Sequence, residues 1–230
     1  MRLLALDTAT EACSVALLLG DQIRVREEEA GRRAAELILG MIDALLTEAG
    51  VCLQELDAIA FGRGPGGFTG VRLAASVTQG LAFGADLPVV PVSDLAALAQ
   101  RALEEEPGVS RVLAVSDARM QEVYWGCYER REDGLAVLLG DEQVGAPETV
   151  ALPAAWTDSG LPGTVLGAGR GLAVAPGLGE RLGLAAQRDT WLPRAREIAR
   201  LAAPRLRSGE RVAAEGALPL YLRDDVVRSP

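Results

Sequence analysis

The fold of this 230-residue chain is decided by the stretch Phe61-Gly62-Arg63-Gly64-Pro65-Gly66-Gly67-Phe68-Thr69-Gly70-Val71-Arg72. An apolar run, Leu56 to Phe61, leads into this stretch, and a helical pattern, Val71 to Phe83, follows it. The sequence therefore predicts a strand, a glycine-rich loop and a helix in that order. Because four of the six residues from 62 to 67 are glycine and one is proline, the loop can adopt backbone conformations that a side chain would forbid.

The glycine-rich loop is a candidate anion site. Thr69 stands where the N-cap of the helix is expected, so the free amides of the first helical turn would point into the loop. Unpaired N–H groups and the helix dipole both favour a negative charge there. The loop is not a P-loop, because the chain has no lysine to reach a phosphate. The alternative interpretation is a tight strand-to-helix connection in which two backbones approach closely.

The residue types that are missing exclude most catalytic machinery. The chain has no histidine, lysine or asparagine, and all 23 basic residues are arginine. Without histidine there is no Ser-His-Asp or Cys-His catalysis and no histidine-ligated zinc. Without lysine there is no Schiff-base nucleophile. Any acid–base chemistry would therefore fall to carboxylates, tyrosines or the three cysteines.

The overall composition predicts a cytoplasmic globular protein. A net charge of −9 and a pI near 4.7 argue against strong direct binding of nucleic acid, which needs a positive surface. Cys13, Cys52 and Cys127 are far apart in sequence, and we expect them to be small core residues in a reducing compartment. The opening apolar run ends at Asp7, so it predicts neither a signal peptide nor a membrane span.

The two halves of the chain carry a similar order of apolar runs. Residues 2–10 and 111–119 each consist of an arginine, an apolar run and a small polar or acidic turn. Two further runs follow each of these: Cys13 to Leu19 and Ile23 to Arg26, then Glu122 to Tyr128 and Leu135 to Leu139. Each half is therefore predicted to begin with a three-strand antiparallel meander. Chance similarity of short strands is the alternative to a duplication.

Helical patterns follow both meanders. The predicted helices are Arg33 to Ala49, Thr69 to Phe83, Ser93 to Glu106 and Arg194 to Arg207, with further strands at Pro88 to Val92 and Thr164 to Leu166. Ser93 is the expected N-cap of the third helix, and Glu106-Pro107-Gly108 is a stop signal. The prediction is an α/β fold of two duplicated lobes, residues 1–107 and 108–230, each a mixed sheet flanked by helices. The C-terminal tail is expected to pack back on the first lobe.

Three motifs resemble one protein family. They are Leu6-Asp7-Thr8-Ala9-Thr10, the stretch Gly62 to Arg72, and Pro219-Leu220-Tyr221-Leu222-Arg223. Their order and spacing resemble the bacterial TsaB (YeaZ) family, the dimerization subunit of the complex that forms threonylcarbamoyladenosine in tRNA. The resemblance covers essentially the whole chain and is stronger in residues 1–95. It implies an actin/Hsp70-like (ASKHA) fold made of two duplicated lobes.

The resemblance also implies a role without catalysis. The family is similar to the catalytic subunit TsaD, pairs with it, and works alongside the ATPase subunit TsaE to modify adenosine 37 of tRNA. TsaD carries a His-x-x-x-His metal pair where this chain has Arg32-Arg33-Ala34-Ala35-Glu36, which cannot bind that metal. No catalytic residue, metal or cofactor is therefore expected. The isolated chain is expected to form a homodimer.

Two helices are the candidate partner surface. Glu36, Gly40, Asp43 and Thr47 form one narrow polar stripe on the first helix, so the helix carries more apolar surface than one core needs. The second helix is rich in small residues that let backbones approach closely. The resemblance implies that the two helices form the subunit contact, at Leu37, Ile38, Met41, Ile42, Leu45, Ala74, Ala75 and Gly80. The alternative is a first helix buried inside its own fold.

The turn at Asp7 and Thr8 is the candidate nucleotide site. In ASKHA relatives this turn meets nucleotide phosphates, and its aspartate reaches a hydrated metal. The candidate anion or nucleotide residues are Asp7, Thr8, Gly64, Gly66, Gly67 and Thr69. The alternative interpretation is an Asx or Ser/Thr turn that closes a hairpin, because the second lobe offers only Ser116-Asp117 and Gly167-Ala168-Gly169 as counterparts.

An enzymatic function is the alternative to a scaffold. It would be an ASKHA-type ATPase or phosphotransferase that uses Asp7 and the Gly64–Thr69 loop. An independent peptidase is disfavoured, because the chain offers neither histidine nor a plausible metal site.

Overall fold

Two five-stranded mixed sheets flanked by helices make up the computed structural model, which describes residues 1–157 and 164–223. This architecture confirms the predicted duplicated, actin-like α/β fold with two lobes. Residues 224–230, the end of the predicted second lobe, lie outside the described part. Within the described ranges, no helix is long and apolar enough to cross a membrane.

The first sheet is built from residues 2–92. Its strands are β1 (Arg2–Asp7), β2 (Ala12–Leu19), β3 (Gln22–Glu29), β4 (Ala58–Gly62) and β5 (Val89–Val92), in the order β3-β2-β1-β4-β5. Strands β1, β2 and β4 are buried almost throughout, which is why their sequences are continuous apolar runs. Three helices belong to this half: α1 (Ala34–Ala49), α2 (Phe68–Ala85) and α3 (Asp94–Glu105).

The second sheet repeats this plan with shorter helices. Its strands are β6 (Arg111–Arg119), β7 (Glu122–Arg130), β8 (Ala136–Gly145), β9 (Val165–Ala168) and β10 (Ala186–Arg188), in the order β10-β9-β6-β7-β8. The helices described here are α4 (Ala154–Thr157), α5 (Gly171–Val174), α6 (Leu178–Arg181) and α7 (Ala195–Arg207). Strand β8 is an edge strand and is mostly exposed.

Both sheets begin with the predicted antiparallel meander. Strand β1 pairs with β2 in the register Arg2↔Leu19, and β6 pairs with β7 in the register Arg111↔Glu129. The first strand of each meander also pairs in parallel with a later strand, β1 with β4 and β6 with β9. The shared strand order supports the duplication inferred from the sequence.

Helices α3 and α7 lie between the two sheets. Helix α7 packs on β1, β2, β4 and β5 of the first sheet, while α3 packs on β6, β7 and β8 of the second sheet. Leu95 and Leu98 of α3 join Ile198 and Leu201 of α7 in one buried cluster that contains residues of both sheets. Helices α1 and α2 cover the opposite face of the first sheet in a separate cluster. The lobes are therefore joined by a continuous apolar core.

Two details of the sequence prediction need correction. The N-cap of α2 is Gly67, whose carbonyl accepts a hydrogen bond from Val71 N at 3.0 Å, so Thr69 lies inside the helix and the prediction of Thr69 as the N-cap is wrong. Cys52 is exposed, because it opens a 3-10 turn after α1 and not a core strand. The prediction of Ser93 as an N-cap is confirmed, since Ser93 Oγ accepts from Ala96 N at 3.1 Å.

Candidate functional site

The glycine-rich loop packs directly against the turn at Asp7 and Thr8. A Cβ atom on Gly70 would lie 2.0 Å from the Thr8 carbonyl oxygen, and one on Gly66 would lie 2.6 Å from that of Ala9. Thr8 Oγ1 donates a hydrogen bond to the Gly70 carbonyl at 2.7 Å. The structure therefore brings the predicted residues of both segments together, and the glycines permit the close approach of two backbones.

Two of the three candidate glycine amides of this loop have acceptors within the protein. Gly64 N donates to the Asp94 carboxylate, and Gly67 N donates to the Ala9 carbonyl at 2.7 Å. Gly64 has φ +102°, a conformation that glycine adopts freely. Thr69 is exposed on the first turn of α2. The Gly64 and Gly67 amides already have acceptors within the protein. The loop geometry therefore favours the tight strand-to-helix connection over an open anion-binding site.

Asp7 is buried against a second carboxyl group, Asp94, at the start of α3. Both side chains lie against Gly62, where a Cβ atom would be 2.3 Å from Asp94 Oδ1 and 2.9 Å from Asp7 Oδ1. Asp7 Oδ1 accepts from Ala9 N at 2.7 Å, whereas Asp7 Oδ2 and Asp94 Oδ1 are buried without a partner. Burial raises the pKa of Asp7 to about 6. Burial, and next the charge of Asp7, raise the pKa of Asp94 well above its ordinary value.

Two adjacent buried carboxyl groups cannot both ionise without a counter-charge. The pair is therefore best described as one carboxyl and one carboxylate that share a proton. Asp7 is fully buried, so it does not present an open carboxylate to a hydrated metal. In residues 1–157 and 164–223, no group of three or more His, Cys, Asp or Glu side chains could hold a metal ion.

Ion pairs join the two lobes at the edge of the predicted nucleotide cleft. Glu11, next to the Asp7 turn, lies 3.4 Å from a guanidinium nitrogen of Arg119 and 3.4 Å from one of Arg170. Arg170 also lies 3.3 Å from Glu29. Gly169 packs on β6, since a Cβ atom there would lie 2.1 Å from the Val115 carbonyl oxygen. The Gly167-Ala168-Gly169 segment, a candidate for nucleotide contact in the second lobe, thus packs against protein.

The tail residues Leu220 to Arg223 cross from one lobe to the other. Leu220 N donates to the Arg63 carbonyl at 2.7 Å. The Arg72 guanidinium carbon lies 3.6 Å from the centre of the Phe68 ring, and Arg72 Nε donates to the Tyr221 hydroxyl at 2.8 Å. Arg223 pairs with Glu122 of the second lobe. The contacts of Arg72 with Phe68 and with Tyr221 of the tail, a cation–π contact and a hydrogen bond, stabilise the start of α2.

The predicted partner-surface residues divide into two groups. Ile38, Ile42, Leu45, Ala74 and Ala75 are buried in the cluster beneath α1 and α2. Their burial removes these five side chains from any surface that a partner could contact directly. Leu37 and Met41 are partly buried at the border of that cluster, and Gly80 is exposed.

The exposed part of α1 and α2 carries apolar side chains that the sequence prediction did not select. Leu39 is 55% exposed and Phe83 is 83% exposed. Gly40, Gly80 and Gly84 have open space where a Cβ atom would be, so the backbone is accessible beside both side chains. We call these five residues the α1–α2 patch. Leu39 borders the polar stripe of α1. An apolar residue beside a polar stripe is the sequence feature that could have indicated its exposure.

A groove runs between α1 and the neighbouring segments. It has a volume of about 550 Å³, and Leu39, Leu46 and Leu81 contribute to its wall. Large exposed apolar areas on a globular protein mark sites of interaction with other proteins. Of the surfaces described so far, the α1–α2 patch and its groove have the composition best suited to a protein partner.

Comparison with known proteins gives consistent matches. The family model described as "TsaD: tRNA N6-adenosine threonylcarbamoyltransferase" matches residues 24–229. The chain is 42% identical over 227 residues to "tRNA threonylcarbamoyladenosine biosynthesis protein TsaB" of Escherichia coli, covering 98% of this chain and 96% of that protein. The Haemophilus influenzae protein of the same description is 55% identical over 125 residues, 54% of this chain and 52% of that one. The solved structure "YeaZ from Pseudomonas aeruginosa" superposes with a TM-score of 0.85 at 48% identity, covering 96% of this chain and 99% of that chain.

Proposed function

This chain belongs to the TsaB (YeaZ) family of tRNA threonylcarbamoyladenosine biosynthesis proteins, and from that membership we propose that it is a non-catalytic subunit of the modifying complex. In this proposal the chain pairs with a TsaD-like catalytic subunit and works alongside a TsaE-like ATPase in the cytoplasm. Its task is to bind and activate the catalytic subunit that modifies adenosine 37 of tRNA.

The α1–α2 patch is the observation that carries this proposal. Phe83 and Leu39 are large, exposed and adjacent to glycines that allow a close helix–helix approach. Burial of exposed apolar area contributes about 25 cal/mol per Å², and aromatic side chains often dominate the binding energy of an interface. The same patch can pair with a second copy of itself when no other partner is present, because a two-fold contact uses one surface twice.

The chemistry near Asp7 supports the non-catalytic part of the proposal. The Asp7 carboxyl is buried against Asp94, and two of the three candidate glycine amides, those of Gly64 and Gly67, have protein acceptors. An ATPase needs an open carboxylate–metal site and free donors for the phosphates. The net charge of −9 also supports an indirect role at the tRNA, in which another subunit provides most of the contacts.

Affinity measurements with the TsaD-like subunit from the same host test the pairing. We expect Phe83→Glu and Leu39→Glu each to weaken the complex at least about tenfold, because a charge would be buried in an apolar contact. The matched control is Val174→Glu, which places the same charge at an exposed valine in the second lobe. Both patch variants should keep a near-normal thermal midpoint, since the replaced side chains are exposed.

Two outcomes would contradict the proposal. Equal affinity of wild type, both patch variants and the control would exclude the α1–α2 patch as the contact. Steady ATP turnover by the pure chain, abolished by Asp7→Ala, would replace the scaffold with the phosphotransferase alternative.

A further inference from the structure

A cavity of about 610 Å³ lies between the two lobes, away from the α1–α2 patch. It is bounded by the end of β4, the start of α3, strand β8, the C-terminal end of α7 and the tail. None of Asp7, Thr8 or the Gly66–Thr69 segment lines it. The volume falls within the range of roughly 300–1,000 Å³ that is usual for small-molecule sites.

Two half-buried arginines in the wall of this cavity have few acceptors for their N–H groups. Arg63, from the glycine-rich stretch, has a buried Nε atom without a partner, and its guanidinium forms no ion pair within the described residues. Arg205, on α7, makes one hydrogen bond, from Nη1 to the Pro91 carbonyl at 3.3 Å. The pKa of Arg205 is lowered, mainly by burial. The negative charge of Glu210 opposes this shift, and the positive charge of Arg63 adds to it.

Two of the three carboxylates that line the cavity, Glu142 and Glu210, have donors of their own, and the third, Asp141, is exposed. Glu142 accepts from the Tyr128 hydroxyl at 2.5 Å and also from the Ser93 hydroxyl. Glu210 accepts from the Ser208 hydroxyl at 3.1 Å. Glu142 and Glu210 are therefore supplied with hydrogen bonds, whereas Arg63 Nε has no partner and Arg205 makes one bond. Because the two arginines also repel each other, an anion between them would satisfy their free N–H groups and reduce the repulsion.

Part of the remaining wall is apolar, and the exposed charged side chains of Arg131 and Asp141 also line the cavity. The apolar part includes leucines of four segments, namely Leu135, Leu138, Leu201, Leu220 and Leu222. A guanidinium is planar and presents paired N–H donors that match a phosphate or a carboxylate. We propose that this cavity binds a small ligand with an anionic head, held by Arg63 and Arg205, and an apolar body that packs on the leucines.

Calorimetric titration of the full chain with inorganic phosphate, phenyl phosphate and benzoate tests this site. Phenyl phosphate or benzoate should bind more tightly than inorganic phosphate, because only they carry an apolar body. The tighter of the two identifies the head group as phosphate or carboxylate. Arg63→Gln and Arg205→Gln should each weaken the binding at least about tenfold, since each removes a charge-assisted hydrogen bond.

Arg207→Gln is the matched control, because Arg207 lies on the same helix, is exposed and does not line the cavity. It should bind the probes as wild type does. In the absence of ligand, Arg205→Gln should not lower the thermal midpoint, because the unpaired buried charge has been removed. Arg63→Lys keeps the positive charge but lacks the planar guanidinium with its paired N–H donors. It should therefore bind the probes more tightly than Arg63→Gln and less tightly than wild type. No binding of any probe at millimolar concentration, or binding unchanged in both glutamine variants, would overturn the assignment.

Discussion

Replacing Asp94 by asparagine should stabilise the protein at alkaline pH and have little effect in acid. In the native structure Asp94 accepts from Gly64 N and faces Asp7, whose second oxygen has no partner. The asparagine oxygen can keep the Gly64 bond while its NH₂ group donates to the Asp7 carboxylate. The substitution therefore supplies a permanent hydrogen-bond donor in place of a proton that is lost as the pH rises, without a change in volume.

The pH dependence of the wild type follows from the raised pKa of Asp7, whose main cause is burial and which the hydrogen bond to Asp94 lowers. This pKa is about 6 in the folded protein, against 3.8 for the unperturbed group, so the folded state holds the proton more tightly than the unfolded chain does. The stabilisation is complete below about pH 4 and is lost as the pH rises through 6. A difference of about two pKa units corresponds to ~3 kcal/mol of unfolding free energy. Glu27 and Glu142 add smaller effects of the same sign, on Asp7 and Asp94 respectively.

The assay is the thermal and urea midpoint of Asp94→Asn and wild type at pH 4 and pH 8. At pH 8 the variant should gain ~1.5–3 kcal/mol, the usual contribution of a hydrogen bond to a charged group, which is roughly 3–12 °C for a chain of this size. At pH 4 the two proteins should differ little. Asp43→Asn, at an exposed position of α1, is the control and should change neither midpoint. A variant that is less stable than wild type at pH 8, or equally changed at both pH values, would refute the shared proton.

Three further predictions concern packing and charge. Gly70→Ala should cost ~1–3 kcal/mol of unfolding free energy, because the new methyl group would lie 2.0 Å from the Thr8 carbonyl oxygen. Gly80→Ala, where nothing lies within 4 Å, should instead stabilise α2 by ~0.5–1 kcal/mol, and equal midpoints of the two variants would contradict this. Ile38→Glu should unfold the chain in a circular dichroism melt, since Ile38 is buried and an unpaired buried charge costs several kcal/mol; a folded monomer would mean that the side chain faces solvent. In filter binding, the isolated chain should retain tRNA weakly and lose it in moderate salt, whereas salt-resistant binding would contradict the role of the −9 charge.

Local sequence patterns predicted most of the fold. The meanders and the Ser93 cap were predictable because a strand period or a capping hydroxyl acts within a few residues. The short helices α4 to α6 and strand β10 were not predicted, since elements of three or four residues carry too little periodicity. The Thr69 cap was wrongly predicted because a contact with Ala9, distant in sequence, sets where α2 begins.

The candidate site was less predictable than the fold. The Asp7–Asp94 contact joins residues from β1 and the start of α3, and only the folded sheet brings them to Gly62. For the partner surface, the sequence prediction pointed to α1 and α2 and included Ile38, Ile42 and Leu45. Those residues fill the core, while Phe83, near the end of α2, is exposed. Apolar periodicity alone cannot separate a side chain in the core from one on an interaction surface.

The most direct test of the proposed role is incorporation of labelled threonine into tRNA by a reconstituted mixture. The mixture contains the TsaD-like subunit, the TsaE-like ATPase, the activated threonylcarbamoyl donor and this chain. We predict no incorporation by this chain alone, strong incorporation by the complete mixture, and loss of incorporation when Phe83→Glu replaces wild type but not when Val174→Glu does. Incorporation by this chain alone, or full incorporation by the other components without it, would contradict the account.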